Sequence, residues 1–229
     1  YCKARARLPQ TMVSTLALRT AEIVAKGVAD WWLWQGRRVR LADGATVTLA
    51  DTEENQREYP QPASQRKGLG FPMMRMVALM CLASGVLLDA ATGPCEGKGS
   101  DEQTLLRGML DRLAHGDILL GDSFFPTYFL LCELQRRGVD GLFEQYGARK
   151  RSTDFRTGER LGVRDHLIVW SKPKRPDWMS QEEYDQVPET LTVREFHAGG
   201  KIMVTTFLCP KDTPKGMLKA LYRQRWSVE

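Results

Sequence analysis

The stretch Asp117-Ile-Leu-Leu-Gly-Asp122-Ser-Phe-Phe-Pro126 combines a short apolar run with an aspartate at its end. The run from Asp117 to Gly121 predicts a buried strand. The segment that follows, Thr127 to Arg137, has a helical pattern, which predicts a helix. We therefore expect an α/β fold in which Asp122 lies where a strand ends and a helix is about to begin.

Two further pairs of strands are predicted upstream. Residues from Arg37 to Leu49 alternate and are rich in β-branched types, with Asp43-Gly44 as a turn signal, so a hairpin is expected there. The apolar runs Arg75 to Leu82 and Gly85 to Ala91 predict a buried antiparallel pair. A helix capped by Ser100, with its core face reaching Leu113, separates this pair from the strand before Asp122.

The last stretch, Pro214-Lys-Gly-Met-Leu-Lys-Ala-Leu-Tyr-Arg-Gln-Arg-Trp-Ser-Val-Glu229, reads as a helix with Thr213 as N-cap. At 100° per residue, Tyr222, Arg225 and Glu229 fall within roughly 60° of one another on one face. Met217, Leu221 and Val228 form the neighbouring apolar stripe. This pattern fits an ordinary amphipathic helix with a solvated charged face, or a helix that holds a carboxylate beside an arginine.

Asp43 and Asp122, each after an apolar run, together with Glu229 on the last helix resemble the D…D…E triad of bacterial insertion-sequence DDE transposases. Within that class the chain resembles the group signed by Tyr-x2-Arg-x3-Glu-x6-Lys. Tyr222, Arg225 and Glu229 match its first three positions, and the lysine position falls after residue 229. The resemblance implies an RNase H-like mixed sheet flanked by helices and interrupted by a β-rich insertion before the last helix.

The first carboxylate has two candidates. Asp43 also fits a plain Asp-Gly turn with no catalytic purpose, and Asp51 is a rival in front of a capped helical turn. The family's D-G-T-T-like string favours Asp43. The segments Asp51-Thr-Glu-Glu-Asn55 and Tyr59-Pro-Gln61 also resemble strings that the family tends to show.

The resemblance and the composition divide the chain into four predicted parts. Residues 1–35 are expected to be the helical tail of an N-terminal DNA-binding region, and residues 36–146 the first part of the catalytic core. Residues 147–200, which lose the helical pattern, are expected to be a basic β-rich insertion, and residues 201–229 the last strand and the helix that carries the glutamate. The chain has no initiating methionine and ends within a helical pattern, so we expect a fragment.

The resemblance implies cut-and-paste transposition. In such a reaction water cleaves one strand at the element end, and the freed 3′-hydroxyl attacks the opposite strand to form a hairpin. Two divalent ions, Mg²⁺ or Mn²⁺, lie roughly 3.5–4 Å apart in such sites. They neutralise the charge on the attacking and the leaving oxygen. We expect Asp43 to bridge the ions, and Asp122 and Glu229 to bind one each.

Phosphate and base contacts are also implied. Arg225 is expected to clamp a phosphate or orient the glutamate, and Tyr222 to donate a hydrogen bond to a phosphate or simply pack in the core. A flipped base is held by an aromatic residue in this family. Met203 lies roughly at that position, which leaves Trp170 and Trp178 as alternatives without an assignment.

The charge pattern favours a polyanionic partner. The net charge is +5, and residues 136–175 hold eleven basic residues against five acidic ones. We expect DNA-backbone contacts in this region and a steep salt dependence of binding. The residues expected to make these contacts are Arg149, Lys150, Arg151, Lys172, Lys174 and Arg175.

Other classes of function are less well supported. The five scattered cysteines favour reduced thiols, and no histidine lies at metal-binding spacing from another ligand, so zinc is not expected. No apolar run approaches the roughly 20 residues of a membrane span. We expect a bacterial cytoplasmic protein, associated with the nucleoid when bound, that takes double-stranded transposon ends and target DNA as a homodimer without a small-molecule cofactor. The alternatives are a non-catalytic DNA-binding protein derived from a transposase and an RNase H-like nuclease.

Overall fold

The computed structural model describes residues 7–66, 68–97, 99–145 and 147–227. Within these ranges the strands form one nine-stranded mixed sheet in the order β3-β2-β1-β4-β5-β9-β8-β7-β6. The strands are β1 (Val39–Thr48), β2 (Met73–Cys81), β3 (Leu87–Pro94), β4 (Ile118–Gly121), β5 (Asp140–Glu144), β6 (Glu159–Gly162), β7 (Asp165–Ser171), β8 (Thr190–Ala198) and β9 (Lys201–Thr205). The α-helices are α1 (Gln10–Lys26), α2 (Glu53–Glu58), α3 (Glu102–Arg107), α4 (Tyr128–Arg136), α5 (Gly147–Ser152), α6 (Gln181–Gln186) and α7 (Lys215–Arg223).

The centre of the sheet is parallel and its flanks are antiparallel. β1 pairs with β4, and β4 with β5, in parallel, so the carboxyl ends of these three strands meet at one edge. β2 and β3 extend the β1 side in antiparallel fashion, and β9 to β6 extend the β5 side in the same way. The predicted mixed α/β sheet flanked by helices is confirmed.

The predicted hairpin at Asp43-Gly44 is wrong, because β1 runs straight through it. Asp43 pairs with Ala78 and Gly44 with Val77 in β2. Gly44 also does not adopt the positive φ that a two-residue hairpin turn requires. The local turn signal is overridden because the ladder between β1 and β2 is continuous from Arg40 to Thr48, so straight pairing satisfies the backbone groups that face β2.

The elements around Asp122 follow the prediction closely. The antiparallel pair is confirmed as β2 and β3, and the helix after Asp122 is α4, whose N-cap Thr127 accepts a hydrogen bond from the Leu130 amide at 3.4 Å. The helix before β4 is shorter than predicted. It is capped by Asp101 instead of Ser100, and it ends at Arg107 before a short 3₁₀ helix, Leu110–Arg112.

Two hydrophobic clusters hold the layers together, one on each face of the sheet. One face packs against α3 and α4 through residues such as Leu79, Leu106, Leu119 and Leu131, which are fully buried. The opposite face packs Leu41, Leu120 and Leu142 against α7. Each buried aliphatic side chain contributes roughly 1.5–3 kcal/mol to folding, so both helical layers are anchored by their apolar contacts.

The last helix differs from its predicted form in two ways. Its N-cap is Pro214, one residue later than the predicted Thr213. Of its predicted apolar stripe, Leu221 is fully buried as expected, but Met217 is 38% exposed and Leu218 is buried in its place; Val228 lies outside the described residues. After Arg223 the backbone tightens into a 3₁₀ helix, Gln224–Ser227, so positions there do not follow the spacing of an α-helix.

The first helical segment is split. Within residues 1–35, where a helical tail is predicted, α1 ends at Lys26 and a short 3₁₀ helix covers Asp30–Trp32. Within the described ranges, none of the helices combines the length and apolar composition that a membrane crossing needs.

Strands β6 to β8 lie in the segment 147–200 and continue the main sheet beyond β9. The segment is also tied to the start of α7. Arg194 on β8 donates to the Thr213 carbonyl at 2.7 Å, and Lys215 donates to the Val163 carbonyl at 2.8 Å. The division of the chain into four parts stays a prediction, but these contacts connect the segment 147–200 to the start of the last helix.

Candidate active site

Asp43 and Asp122 lie at the ends of neighbouring parallel strands. The last registered pair of β1 and β4 is Leu41 with Leu120, and each aspartate follows two residues later. Because side chains alternate along a strand, both aspartates point to the same face as Leu41 and Leu120, the face covered by α7. Adjacent strands are about 4.8 Å apart, so the fold brings these two carboxylates together.

The last helix contacts both strand ends. The Tyr222 hydroxyl donates to the carbonyl of Gly121 at 3.2 Å, immediately before Asp122. The Arg225 guanidinium donates from Nη1 to Oδ1 of Asp43, also at 3.2 Å. Tyr222 and Arg225 are 6% and 5% exposed, whereas the side chain of Asp43 is 35% exposed. These two residues therefore hold the end of the chain against the ends of β1 and β4.

The electrostatics of Asp122 are those of a crowded acidic site. Burial raises the pKa of Asp122, and the neighbouring carboxylates of Asp43 and Glu144 raise it further. A hydrogen bond from the Phe124 amide and the charge of Arg225 act in the opposite direction without cancelling the rise. Such a shifted acid in a cleft marks a candidate functional position.

Tyr222 stays protonated over the whole physiological range. Burial raises the pKa of its hydroxyl to about 12, and the carboxylates of Glu144 and Asp122 add to the rise, which Arg225 opposes. A neutral phenol is a hydrogen-bond donor. In this structure the donor is used on the Gly121 carbonyl, so Tyr222 acts on the position of β4.

Sequence reasoning missed Glu144, the third acidic residue along this edge. The register pairs Gly121 with Phe143, so Asp122 and Glu144 are neighbours one residue beyond the end of that ladder. A signal was available, since Asp140-Gly-Leu-Phe-Glu144 repeats the pattern of an apolar run that ends in an acid. The signal is weak because the apolar run has only two residues, Leu142 and Phe143, and lies next to a segment without clear periodicity.

Glu102 is the second residue that was missed. Its carboxylate covers Gly44, where an added Cβ would be only 2.6 Å from either oxygen. Burial raises the pKa of Glu102, with Asp122 as the next contributor. In the sequence, Glu102 is explained as an acidic residue in the first turn of α3, where it interacts favourably with the helix dipole. Its proximity to the strand ends depends on the tertiary structure and has no signal in the sequence.

The two remaining acidic candidates have different outcomes. Glu229 lies outside the described residues, so its assignment as the third carboxylate stays a prediction. Asp51 is placed before α2, where its Oδ1 accepts a hydrogen bond from the Gln56 side chain at 2.7 Å. The structure therefore places Asp43, and not Asp51, beside Asp122 and Arg225. Among the described residues, no three histidine, cysteine or acidic side chains are grouped closely enough to hold a metal ion.

The basic cluster at the start of the inserted segment is partly occupied by protein contacts. The Arg149 guanidinium lies 3.6 Å from the centroid of the Trp170 ring. The ammonium of Lys150 lies 3.7 Å from a carboxylate oxygen of Glu144. Arg151 is exposed. The three side chains therefore differ in how readily they can reach a DNA backbone.

The second basic cluster shows the same division. Lys172 has a side chain only 3% exposed, and its ammonium binds the Val187 carbonyl at 2.8 Å and Glu189 at 3.0 Å. Arg175 donates to the Met179 carbonyl. Lys174 is exposed. The predicted DNA contacts of this cluster stay predictions.

The aromatic candidates for base stacking are placed as follows. Met203 is 2% exposed in the core and Trp170 is 6% exposed beneath Arg149. Trp178 is 48% exposed and lies 3.8 Å below the guanidinium of Arg107.

Comparison with known proteins gives a consistent result. The family model described as "Transposase DDE domain" matches residues 34–229. "Transposase InsG for insertion sequence element IS4" of Escherichia coli (strain K12) is 24% identical over 232 aligned residues, which cover 99% of this chain and 50% of that protein. "Putative transposase InsZ" of the same organism is 36% identical over 109 residues, 47% of this chain and 35% of that protein.

A solved structure, the piggyBac transposase synaptic complex with hairpin DNA, is also similar. It shows 7% sequence identity and a TM-score of 0.49 over 83% of this chain and 38% of that chain. The present chain spans half or less of the length of the two curated relatives.

Proposed function

The chain belongs to the family of transposase DDE domains, and from that premise we propose that it is the catalytic part of a cut-and-paste transposase of an insertion sequence. The observation that supports this most is the pairing of strand ends. Asp43 and Asp122 meet at one edge of the sheet, and Arg225 of the last helix contacts Asp43 at 3.2 Å.

The residues present suit a hard divalent cation. Carboxylate oxygens are the ligands that Mg²⁺ and Mn²⁺ prefer, and the rise in the pKa of Asp122 reflects burial of negative charge beside other carboxylates. Asp43 and Asp122 would hold the ions, with Glu229 as the third ligand. Bound ions would supply stabilisation of the charge that develops on the scissile phosphate and activation of the attacking hydroxyl group.

The protein's own groups position this chemistry. Tyr222 fixes the end of β4 through the Gly121 carbonyl, which limits how far Asp122 can move. Arg225 holds Asp43 and brings a buried positive charge close to the position of the scissile phosphate. Because the aspartates start from neighbouring strands, little reorganisation is needed to assemble their part of the site.

The proposed substrate is double-stranded DNA, at the transposon ends and at the target, bound by a homodimer. The net charge of +5 and the basic residues of the inserted segment support an anionic partner. The bacterial cytoplasm, with the nucleoid when DNA is bound, is the compartment in which such a substrate is met.

The test uses the protein extended to the length of its curated relatives. Asp43→Asn, Asp122→Asn and Glu229→Gln are each expected to reduce Mg²⁺-supported cleavage of transposon-end DNA by orders of magnitude while binding is retained, because each removes an anionic ligand. Asp51→Asn is the matched control and is expected to cleave like the unaltered protein. Inactivation by Asp51→Asn with full activity of Asp43→Asn would reverse the assignment of the first carboxylate.

The products distinguish the alternatives. Strand transfer of a cleaved end into a second duplex identifies a transposase. Cleavage without transfer identifies an RNase H-like nuclease, and binding without either reaction identifies a non-catalytic DNA-binding protein.

A further inference from the structure

A lysine is placed beside the acidic edge by a tight turn. Ala198-Gly-Gly-Lys201 joins β8 to β9, with φ of +59° at Gly199 and +84° at Gly200, and Ala198 pairs with Lys201. Positive φ at both central positions is the geometry of a two-residue hairpin turn, so the two glycines determine where Lys201 begins its strand. The register then pairs Met203 with Glu144 and places Lys201 diagonally across from Glu144 on the same face.

Two lysines converge on Glu144. The Lys201 ammonium lies 2.6 Å from Oε2, and the Lys150 ammonium lies 3.7 Å from Oε1. The glutamate side chain is only 17% exposed, whereas those of Lys201 and Lys150 are 43% and 41% exposed. Both ammonium groups therefore retain access to solvent while one carboxylate holds them.

The charge balance at this point differs from that at the aspartates. One carboxylate shared by two ammonium groups leaves a net positive charge at the end of β5. The end of β4 beside it carries Asp122, whose pKa is raised by burial and then by the carboxylates of Asp43 and Glu144, against the charge of Arg225. Asp43 on β1 is paired with Arg225, so the edge of the sheet is acidic at β4 and has two ammonium groups for one carboxylate at β5, which is the polarity required to hold a cation and a phosphate side by side.

An ordinary surface ion pair would not need this arrangement, because exposed pairs contribute little to stability. Here the acid is largely buried and adjacent to the candidate site, whereas both lysine side chains are more than a third exposed, so an anion can approach them. The Lys201 ammonium also lies 5.8 Å from the centroid of the Trp226 ring, and the Arg225 guanidinium lies 4.1 Å from the same centroid.

We propose that Lys201 and Lys150 form a phosphate-binding shelf for the DNA strand that enters the site, and that Glu144 is the positioning residue that aims both ammonium groups. The inference rests on the proposed function, since it takes DNA as the substrate. It adds Lys201 and Glu144 to the site, and it gives Lys150 a defined partner.

The first test measures binding of a fluorescein-labelled DNA duplex by fluorescence anisotropy over a range of salt concentrations. Lys201→Gln is expected to reduce the slope of log Kd against log salt concentration by about 1, because one phosphate contact is lost. Lys201→Arg, which retains the charge, is expected to keep the slope. Lys211→Gln, at an exposed lysine in the turn before α7, is the matched control and is expected to behave like the unaltered chain.

The second test uses the sign of the effect of Glu144→Gln. If Glu144 only repelled DNA, removing its charge would tighten binding. If it aims the lysines, the same change weakens binding in the otherwise unaltered chain, has a smaller effect in the Lys201→Gln background, where only Lys150 remains to be aimed, and has no effect in the Lys201→Gln/Lys150→Gln background. The melting temperature of each variant is measured as well, because weaker binding at an unchanged melting temperature indicates misplaced ammonium groups and not unfolding.

The outcomes separate this inference from the proposed function. An unaltered slope for Lys201→Gln together with tighter binding by Glu144→Gln would overturn the shelf, even if the extended protein still transfers strands. Absence of DNA binding by the extended, unaltered protein would overturn the proposed function itself.

Discussion

The buried ion pair between β7 and β8 and the acidic edge at the ends of β1, β4 and β5 differ in how fully their charges are paired. Arg194 on β8 is fully buried, donates twice to Asp165, at 2.7 and 2.6 Å, and donates once more to the Thr213 carbonyl. The guanidinium and the carboxylate share a bidentate geometry that is among the strongest for a pair of charged side chains.

The acidic edge lacks this balance. Burial is the main cause of the raised pKa values of Asp122 and Glu102, and neighbouring carboxylates add to both. The pKa of Asp122 is raised although the Phe124 amide donates a hydrogen bond to its carboxylate. Within the described ranges, several buried polar atoms without a hydrogen-bond partner belong to residues at this edge. They are Nε of Arg75, Nε of Arg225 and both side-chain atoms of Gln145.

The difference indicates what each region is for. A buried charge that is fully paired stabilises one arrangement, and in this chain it links the inserted strands to the approach of α7. A cluster of like charges with incompletely bonded neighbours costs stability, and proteins retain such costs at functional sites. The comparison therefore supports a structural role for Arg194 and a chemical role for the strand ends.

The largest expected effect is on activity. In the extended protein, Asp122→Asn should lower cleavage by orders of magnitude and leave the melting temperature unchanged or raise it by no more than about 4 °C, because it removes one of the crowded charges. Differential scanning fluorimetry and a cleavage assay measure the two quantities. Strong destabilisation with intact cleavage would mean that Asp122 is structural and that the contrast with Arg194 is wrong.

The next effect is on stability. Arg194→Ala should reduce the free energy of unfolding by roughly 3–5 kcal/mol, because it leaves the buried Asp165 carboxylate without its partner. Urea unfolding measures the change. Arg156→Ala is the matched control, since its pair with Asp154 at 2.8 Å is on the surface and its loss should not be measurable. Equal effects of the two variants would remove the distinction on which the comparison rests.

A smaller effect is expected at Tyr222. Removing its hydroxyl in Tyr222→Phe should cost about 1 kcal/mol of unfolding free energy, because one buried hydrogen bond to the Gly121 carbonyl is lost. Since that bond orients β4 and does not touch the reacting atoms in this structure, cleavage should fall far less than in Asp122→Asn. A loss of cleavage as large as that of Asp122→Asn would show instead that the hydroxyl acts on the DNA.

The smallest effect concerns pH. A carboxyl group whose pKa is raised on folding contributes stability that is fully present below its unfolded pKa, about 4, and is lost as the pH rises through the folded value. Asp122 and Glu102 both have this sign, so their combined contribution should decline over that window, by no more than about 2 °C in melting temperature. The double variant Asp122→Asn/Glu102→Gln should lose this part of the decline. An unchanged pH profile in the double variant would show that the crowding has no energetic consequence.

Several features could be predicted from the sequence because their signals are local. The apolar run before Asp122, the helix after it and the antiparallel pair β2–β3 depend on neighbours within a few residues, and the structure contains all three. The D-G-T-T-like string around Asp43 favours it over Asp51 as the first carboxylate, and the structure places Asp43 at the strand end next to that of Asp122. The resemblance of Tyr222 and Arg225 to the family signature likewise needed only their spacing.

What the tertiary structure alone decided depends on contacts between distant strands. The Asp-Gly turn signal at Asp43 is overridden by pairing with β2, because the β1–β2 ladder continues without a break from Arg40 to Thr48. Glu144 and Lys201 are far apart in sequence, yet one parallel and one antiparallel register place them 2.6 Å from each other beside Asp122. Periodicity and propensity report which way a side chain points on its own element, whereas the register between elements determines which charges meet.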